Sequence, residues 1–249
     1  MNKFFGIILI FVLSAIALAT ADACSASENI FYMSNLREKE GIVSLQKNAD
    51  KIDIIAPQFF SVTAKMKIVG SLDANLKKAI LKAQTINKNM KVMPLVMNAG
   101  FNQNVMHKLL TSPADQDAVI QGLVYIAKKN KYIGWQFDFE NISYLDKDLY
   151  SAFVGKTVES LHKNNLILSV AVVTRSVDYE DTDAFKNWSG VFDYERLAKA
   201  VDFISLMTYD DPNSLGPVAS VPFINSVLSY VGDKIPPEKV SFGIPLYNW

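Results

Sequence analysis

A single cysteine, Cys24, leaves the chain without any internal disulfide. Histidine is scarce too. His107 and His162 stand alone in helix-patterned stretches and are read as surface residues with no metal or catalytic task. Net charge is missing: 25 Lys and Arg offset 25 Asp and Glu, so nothing suggests a nucleic-acid partner or a strongly charged substrate. Internal repeats, low-complexity segments and linkers are absent as well. What remains is a globular composition of 249 residues, half hydrophobic and a fifth charged, enough for one large domain or two small ones.

The first residues stand apart. "MNK" carries one positive charge, an apolar run follows from Phe4 to Ala19, and Ala19-Thr20-Ala21 and Ala21-Asp22-Ala23 offer small-x-small cleavage sites. Residues 1–23 therefore read as a secretory signal peptide. The run is short for a spanning helix, so no stable membrane insertion is expected after cleavage. Secretion or export to a periplasm follows. Lipid attachment at Cys24 is the disfavoured alternative, because Ala21 and Asp22 are poor residues before a lipidated cysteine.

The mature chain, 24–249, alternates short apolar runs with helix-like charged stretches. The runs cover 28–35, 53–62, 91–100, 132–141, 166–176, 201–210 and 240–247. Each is bounded by turn or charged residues, as buried parallel strands are. Helices are predicted over Ser71–Asn87, from a Ser112-Pro113 start to about Asn130, over Asp146–Asn164 and over Val218–Asp233. This alternation predicts right-handed β-α-β units, and seven of them point to a (β/α)8 TIM barrel rather than an open sheet. The eighth unit is not in the sequence, which stops at Trp249. The expectation drawn from this is a fragment of a longer frame; the alternative is a barrel completed in some unusual way.

The fourth run poses the chemical question. In "KYIGWQFDFENIS" (131–143), Gly134, Gln136, Asp138 and Glu140 share one strand face, while Ile133, Trp135, Phe137 and Phe139 share the other. Two carboxylates and an amide on a core face are costly unless they are paired or used. In a barrel the C-terminal strand ends build the active site. That end also gathers Tyr209 and Asp210 from the sixth strand and Tyr247 from the seventh. Crowded carboxylates beside aromatic rings predict pKa values driven apart, as glycosidic cleavage needs.

These residues carry a resemblance. "GWQFDFEN" resembles the fourth-strand signature D-G-x-D-x-D-x-E of glycoside hydrolase family 18. "LMTYDD" (206–211) is similar to the family's M-x-Y-D motif, and "GIPLYNW" (243–249) to its G-x-P-x-Y-G-x-x-W segment. The likeness covers the mature chain, and spore-germination and cell-wall N-acetylglucosaminidases look nearest. It implies retaining, substrate-assisted hydrolysis of β-linked N-acetylglucosamine in peptidoglycan or chitin, with no metal or organic cofactor. Glu140 is implied as acid and then base, Asp138 as the group that orients the acetamido N–H, and Tyr209 as a donor to the acetamido oxygen. Substrate contacts are expected from Gln136, Met207, Asp210, Tyr247, Trp249 and Asn98.

Two departures stand out. Gln136 occupies an aspartate position, so Asp138 should ionise more easily, held by the Gln136 amide. The aromatic residue that the family places on its eighth strand is not in this sequence. Plainer readings exist: the carboxylates as a structural pair, Met207 as core, Pro57, Phe59 and Phe60 as packing rather than a sugar platform. A barrel that binds sugar without cutting it is the competing function, and the presence of Glu140 speaks for the enzyme.

Overall fold

The computed structural model describes residues 28–211 and 217–246. The expected signal peptide, Cys24, Tyr247 and Trp249 lie outside the described residues. Nine strands form one sheet there: β1 (Ile30–Ser34), β2 (Ile54–Val62), β3 (Ile68–Val69), β4 (Lys91–Val92), β5 (Leu95–Asn98), β6 (Gly134–Asp138), β7 (Ile167–Val173), β8 (Phe203–Met207) and β9 (Val240–Phe242). The order is β1-β2-β5-β6-β7-β8-β9, every neighbouring pair parallel. β3 adds an antiparallel turn of chain to the far end of β2. All seven predicted runs become strand positions, in chain order.

The third run forms as two pieces, β4 and β5, because Pro94 cannot donate to the ladder. The sheet still runs through the gap: Met93 N donates to Ile55 O (3.0 Å), and Gln136 N to Pro94 O (3.0 Å). Among the described residues β1 and β9 are the two edges, so the barrel is open between them.

The helices are α1 (Glu38–Lys47), α2 (Ala74–Ile86), α3 (Gln103–Thr111), α4 (Pro113–Asn130), α5 (Lys147–His162), α6 (Tyr194–Ala200) and α7 (Val221–Val231). Short polar side chains start most of them by capping free N–H groups. Asp73 accepts from Leu76 N (2.7 Å), Asn102 from Val105 N (3.2 Å), Ser112 from Asp115 N (3.3 Å) and Ser220 from Phe223 N (3.2 Å). The Ser112-Pro113 start is as predicted; α1, α3 and α6 were not predicted. No helix among the described residues is long and apolar enough to cross a membrane.

The core lies between sheet and helices. Trp135 on β6 meets Phe60 edge-on at 5.0 Å and Tyr132 at 5.9 Å, and its indole N–H donates to Leu123 O of α4 (3.0 Å). Phe137 stacks on Phe153 of α5 at 5.7 Å. Phe60 is thus an outward core residue, which settles its alternative reading as a sugar platform in favour of packing. With the odd residues of β6 spent on the core, Gln136 and Asp138 turn to the lumen.

Candidate active site

The lumen floor is polar where many barrels carry branched apolar residues. Gln136 is fully buried, and its amide nitrogen donates to the hydroxyls of Ser169 on β7 and Ser205 on β8, both at 2.9 Å. Ser205 shares a further hydrogen bond with the Tyr32 hydroxyl of β1 at 3.0 Å. The Gln136 carbonyl oxygen has no hydrogen-bond partner among the described residues.

Above this floor sits Asp138, 4% exposed. Its Oδ2 accepts from the amide nitrogen of Gln58 on β2 at 3.3 Å. Burial pushes its pKa up to about 6, and the Gln58 hydrogen bond works in the other direction. No charge at position 136 acts on it, as the neutral glutamine dictates. The expected easier ionisation is nevertheless outweighed, because desolvation of a buried carboxylate exceeds what one amide returns.

Glu140 lies two residues beyond Asp138, past the end of β6, and is partly buried. Its pKa is pushed up to about 7, first by burial and then by the negative charges of Asp138 and Asp210. Its backbone is fixed by Asn98 at the end of β5. The Asn98 amide donates to Glu140 O (2.8 Å) and accepts from Glu140 N (3.0 Å), a side chain acting as a missing ladder rung. Asn141 follows with φ +51°, and its amide donates to the carbonyl of Phe101, itself at φ +47°. Left-handed backbone at a bulky residue is strained, and such residues cluster at functional rims.

On β8 the half-buried Met207 accepts from the Thr174 hydroxyl through its carbonyl (2.9 Å). Tyr209 follows beyond the strand end, with its ring against Gly243. A Cβ at position 243 would come 2.5 Å from the ring carbon Cε1, so only glycine leaves that place open. Asp210 is exposed at φ +57°. Among the described residues no three His, Cys, Asp or Glu side chains converge as a metal site requires.

Residues 28–249 match the family described as Glycosyl hydrolases family 18. The chain belongs to that family. It is 28% identical over 214 residues to the uncharacterized glycosylase YvbX of Bacillus subtilis (strain 168), covering 83% of this chain and 60% of the relative. It is 25% identical over 239 residues to the cortical fragment-lytic enzyme of Bacillus anthracis, covering 90% of this chain and 52% of that protein. The chain thus spans little more than half the length of these relatives. Among solved structures, a chitinase from Chromobacterium violaceum ATCC 12472 superposes with TM-score 0.78 at 25% identity, over 89% of this chain and 69% of that one. The fold is therefore the family 18 TIM barrel, with seven of its strands among the described residues.

Placed on this family 18 barrel, Asn98, Asp138, Glu140, Met207, Tyr209 and Asp210 lie at or just beyond the C-terminal ends of β5, β6 and β8. The amides of Gln136 and Asn98 are bonded to protein groups, Gln136 to Ser169 and Ser205 and Asn98 to the backbone of Glu140. Sequence reasoning missed Gln58, Ser169, Ser205 and Tyr32. A signal existed: Gln58, Ser169 and Ser205 are polar interruptions in otherwise apolar strand runs.

Proposed function

We propose that this chain is an exported glycosidase that hydrolyses β-linked N-acetylglucosamine in peptidoglycan or chitin, with retention and with help from the substrate's own acetamido group. The observation that carries the reading is the carboxylate pair at the end of β6, with Glu140 at about 7 above Asp138 at about 6. Burial raises both groups, and the charges of Asp138 and Asp210 raise Glu140 further, so a proton on the pair favours Glu140. That is the distribution an acid beside an anion requires.

Glu140 then gives its proton to the leaving glycosidic oxygen. The acetamido carbonyl oxygen attacks the anomeric carbon, and the carboxylate of Asp138 accepts the acetamido N–H and stabilises the cyclic cation. Tyr209 donates to the acetamido oxygen. A water then attacks the anomeric carbon while Glu140 takes its proton as base; the bond from the acetamido oxygen to that carbon breaks, and the acetamido group is restored. Family membership and the names of relatives, a cortical fragment-lytic enzyme and a chitinase, support this substrate class. The apolar run Phe4–Ala19 with its cleavage sites supports export.

The test is release of a fluorescent group from an N-acetylglucosamine oligomer, and of reducing ends from cell-wall fragments, by wild type and Glu140→Gln. The variant keeps the shape and removes the proton donor, so kcat should fall by about 10²–10⁴-fold with binding intact. Equal turnover in both proteins overturns the reading. Sugar binding with no turnover in wild type makes the barrel a binding module instead.

A further inference from the structure

We propose that Gln58 on β2 is a positioning residue for Asp138, and that its amide fixes how this carboxylate faces the substrate and favours its anionic form. The inference rests on the reading above, in which Asp138 orients an acetamido group as an anion. The first observation is the contact itself, Gln58 Nε2 to Asp138 Oδ2 at 3.3 Å, made across 80 residues of sequence. The same nitrogen lies 3.4 Å from the sulfur of Met97, whose backbone is in register with Asp138. Through its side chain Gln58 thus reaches both Met97 of β5 and Asp138 of β6.

The second observation concerns the other lumen amides. Asn98 has committed its nitrogen to the Glu140 carbonyl, and Gln136 has committed its own to Ser169 and Ser205. The Gln136 amide, which sequence alone assigned to Asp138, is occupied below. Gln58 supplies the donor from the side.

The third observation is how Gln58 reaches this place. Between β2 and β5 the register runs Gln58 to Leu95 and then Phe60 to Val96, so Phe59 is an extra residue in β2. A bulge of this kind bends a strand and re-aims its side chains, and bulges recur beside active sites. The chain after β3 closes on it: Gly70 has φ +106°, and a Cβ there would stand 1.9 Å from the Phe59 carbonyl oxygen. The bulge is seated against a position that tolerates only glycine.

The groups that sense Asp138 are the Tyr32 hydroxyl from β1, the Tyr150 hydroxyl from α5 and the Glu140 carboxyl, with Asp210 acting on Glu140 from the loop after β8. Tyr209 stands at the same rim beside Gly243. None of these carries a positive charge. A neutral donor is therefore what opposes the burial of the Asp138 charge.

The test is a pH titration of the Asp138 carboxyl, followed through its side-chain carbon resonance by NMR in wild type, Gln58→Leu and Gln58→Glu. Thermal melts establish that each is folded. Loss of the donor in Gln58→Leu should raise the midpoint by about half to one pH unit. Gln58→Glu keeps the shape and adds a like charge, so it should raise the midpoint further. In turnover, the acid limb of kcat/KM should move up with the midpoint, and kcat should fall about tenfold while KM changes little. Midpoints unchanged in both variants overturn the proposal, and Gln58 is then only packing. Should Gln58→Leu fail to fold, Gln58→Glu decides alone. A wild type that hydrolyses nothing defeats the proposed function, while the titration still judges Gln58.

Discussion

Which carboxylate of the β6 pair holds the proton is decided by burial first and by neighbouring charge second. Asp138 at about 6 and Glu140 at about 7 leave a narrow interval in which Asp138 is ionised and Glu140 is not. Activity needs both conditions. We expect kcat/KM to follow a bell with an acid limb near 6, where Asp138 takes a proton, and an alkaline limb near 7, where Glu140 loses one. The limbs belong to the pair, because each charge acts on the other group. Asp210→Asn removes one of the charges that raise Glu140, so the alkaline limb should shift downward while the acid limb stays. A profile flat from pH 5 to pH 8 would show that these carboxylates do not carry the reaction.

At the scale of the element, the chain between β7 and α6 depends on one side chain. Arg175, just past β7, donates to Asp178 Oδ1 (2.6 Å), the Tyr230 hydroxyl (3.2 Å), Ser189 O (2.5 Å) and Phe192 O (3.2 Å). Its guanidinium also lies 4.7 Å from the Tyr194 ring centre and 5.4 Å from that of Tyr230. It ties residues 174–193, which follow the C-terminal end of β7, to α6 and α7. A lysine cannot reproduce a planar fork that binds several oxygens and stacks on rings. Arg175→Lys should therefore cost about 2–3 kcal/mol of stability. It should speed hydrogen exchange in 174–193 more than in β6, and uniform exchange would mean the loop holds without the clamp.

Legibility from sequence follows the same scale. The strands were readable because buried parallel strands need apolar runs, and those runs end at turn or charged residues. Ser112-Pro113 was readable because cap and proline act locally. The split at Pro94 was not, since the run looks continuous until the ladder is known. α1 was missed because Leu45 is its one buried residue, and α6 because it has only seven residues. In the site, Gln136 and Asp138 share β6 and Glu140 follows two residues on, so their alternation was visible in the sequence. Gln58 and Asn98 lie 80 and 42 residues from the groups they hold, and no local pattern says which lumen residue faces which.

Across the whole molecule the site works against the fold. Asp138 and Glu140 have folded pKa values raised above those of the free side chains, 3.8 and 4.5. The native state therefore binds more protons than the unfolded chain between about pH 4 and 7, and stability falls as pH rises through that window. Below it both states are protonated and the penalty vanishes; above it the penalty is complete. At about 1.4 kcal/mol per pKa unit, each group costs on the order of 3 kcal/mol at pH 8. The left-handed Phe101, Asn141 and Asp210 on the same rim add backbone strain of the kind that functional sites retain. Asp138→Asn and Glu140→Gln should therefore be more stable than wild type at pH 8, with Tm higher by about 6–12 °C for a chain of this size. The gain should shrink to nothing below about pH 3, where the carboxyls are protonated in the unfolded chain as well as in the native state. Variants less stable than wild type at pH 8 would mean that the lumen holds these groups as anions, and Glu140 would then have no proton to give.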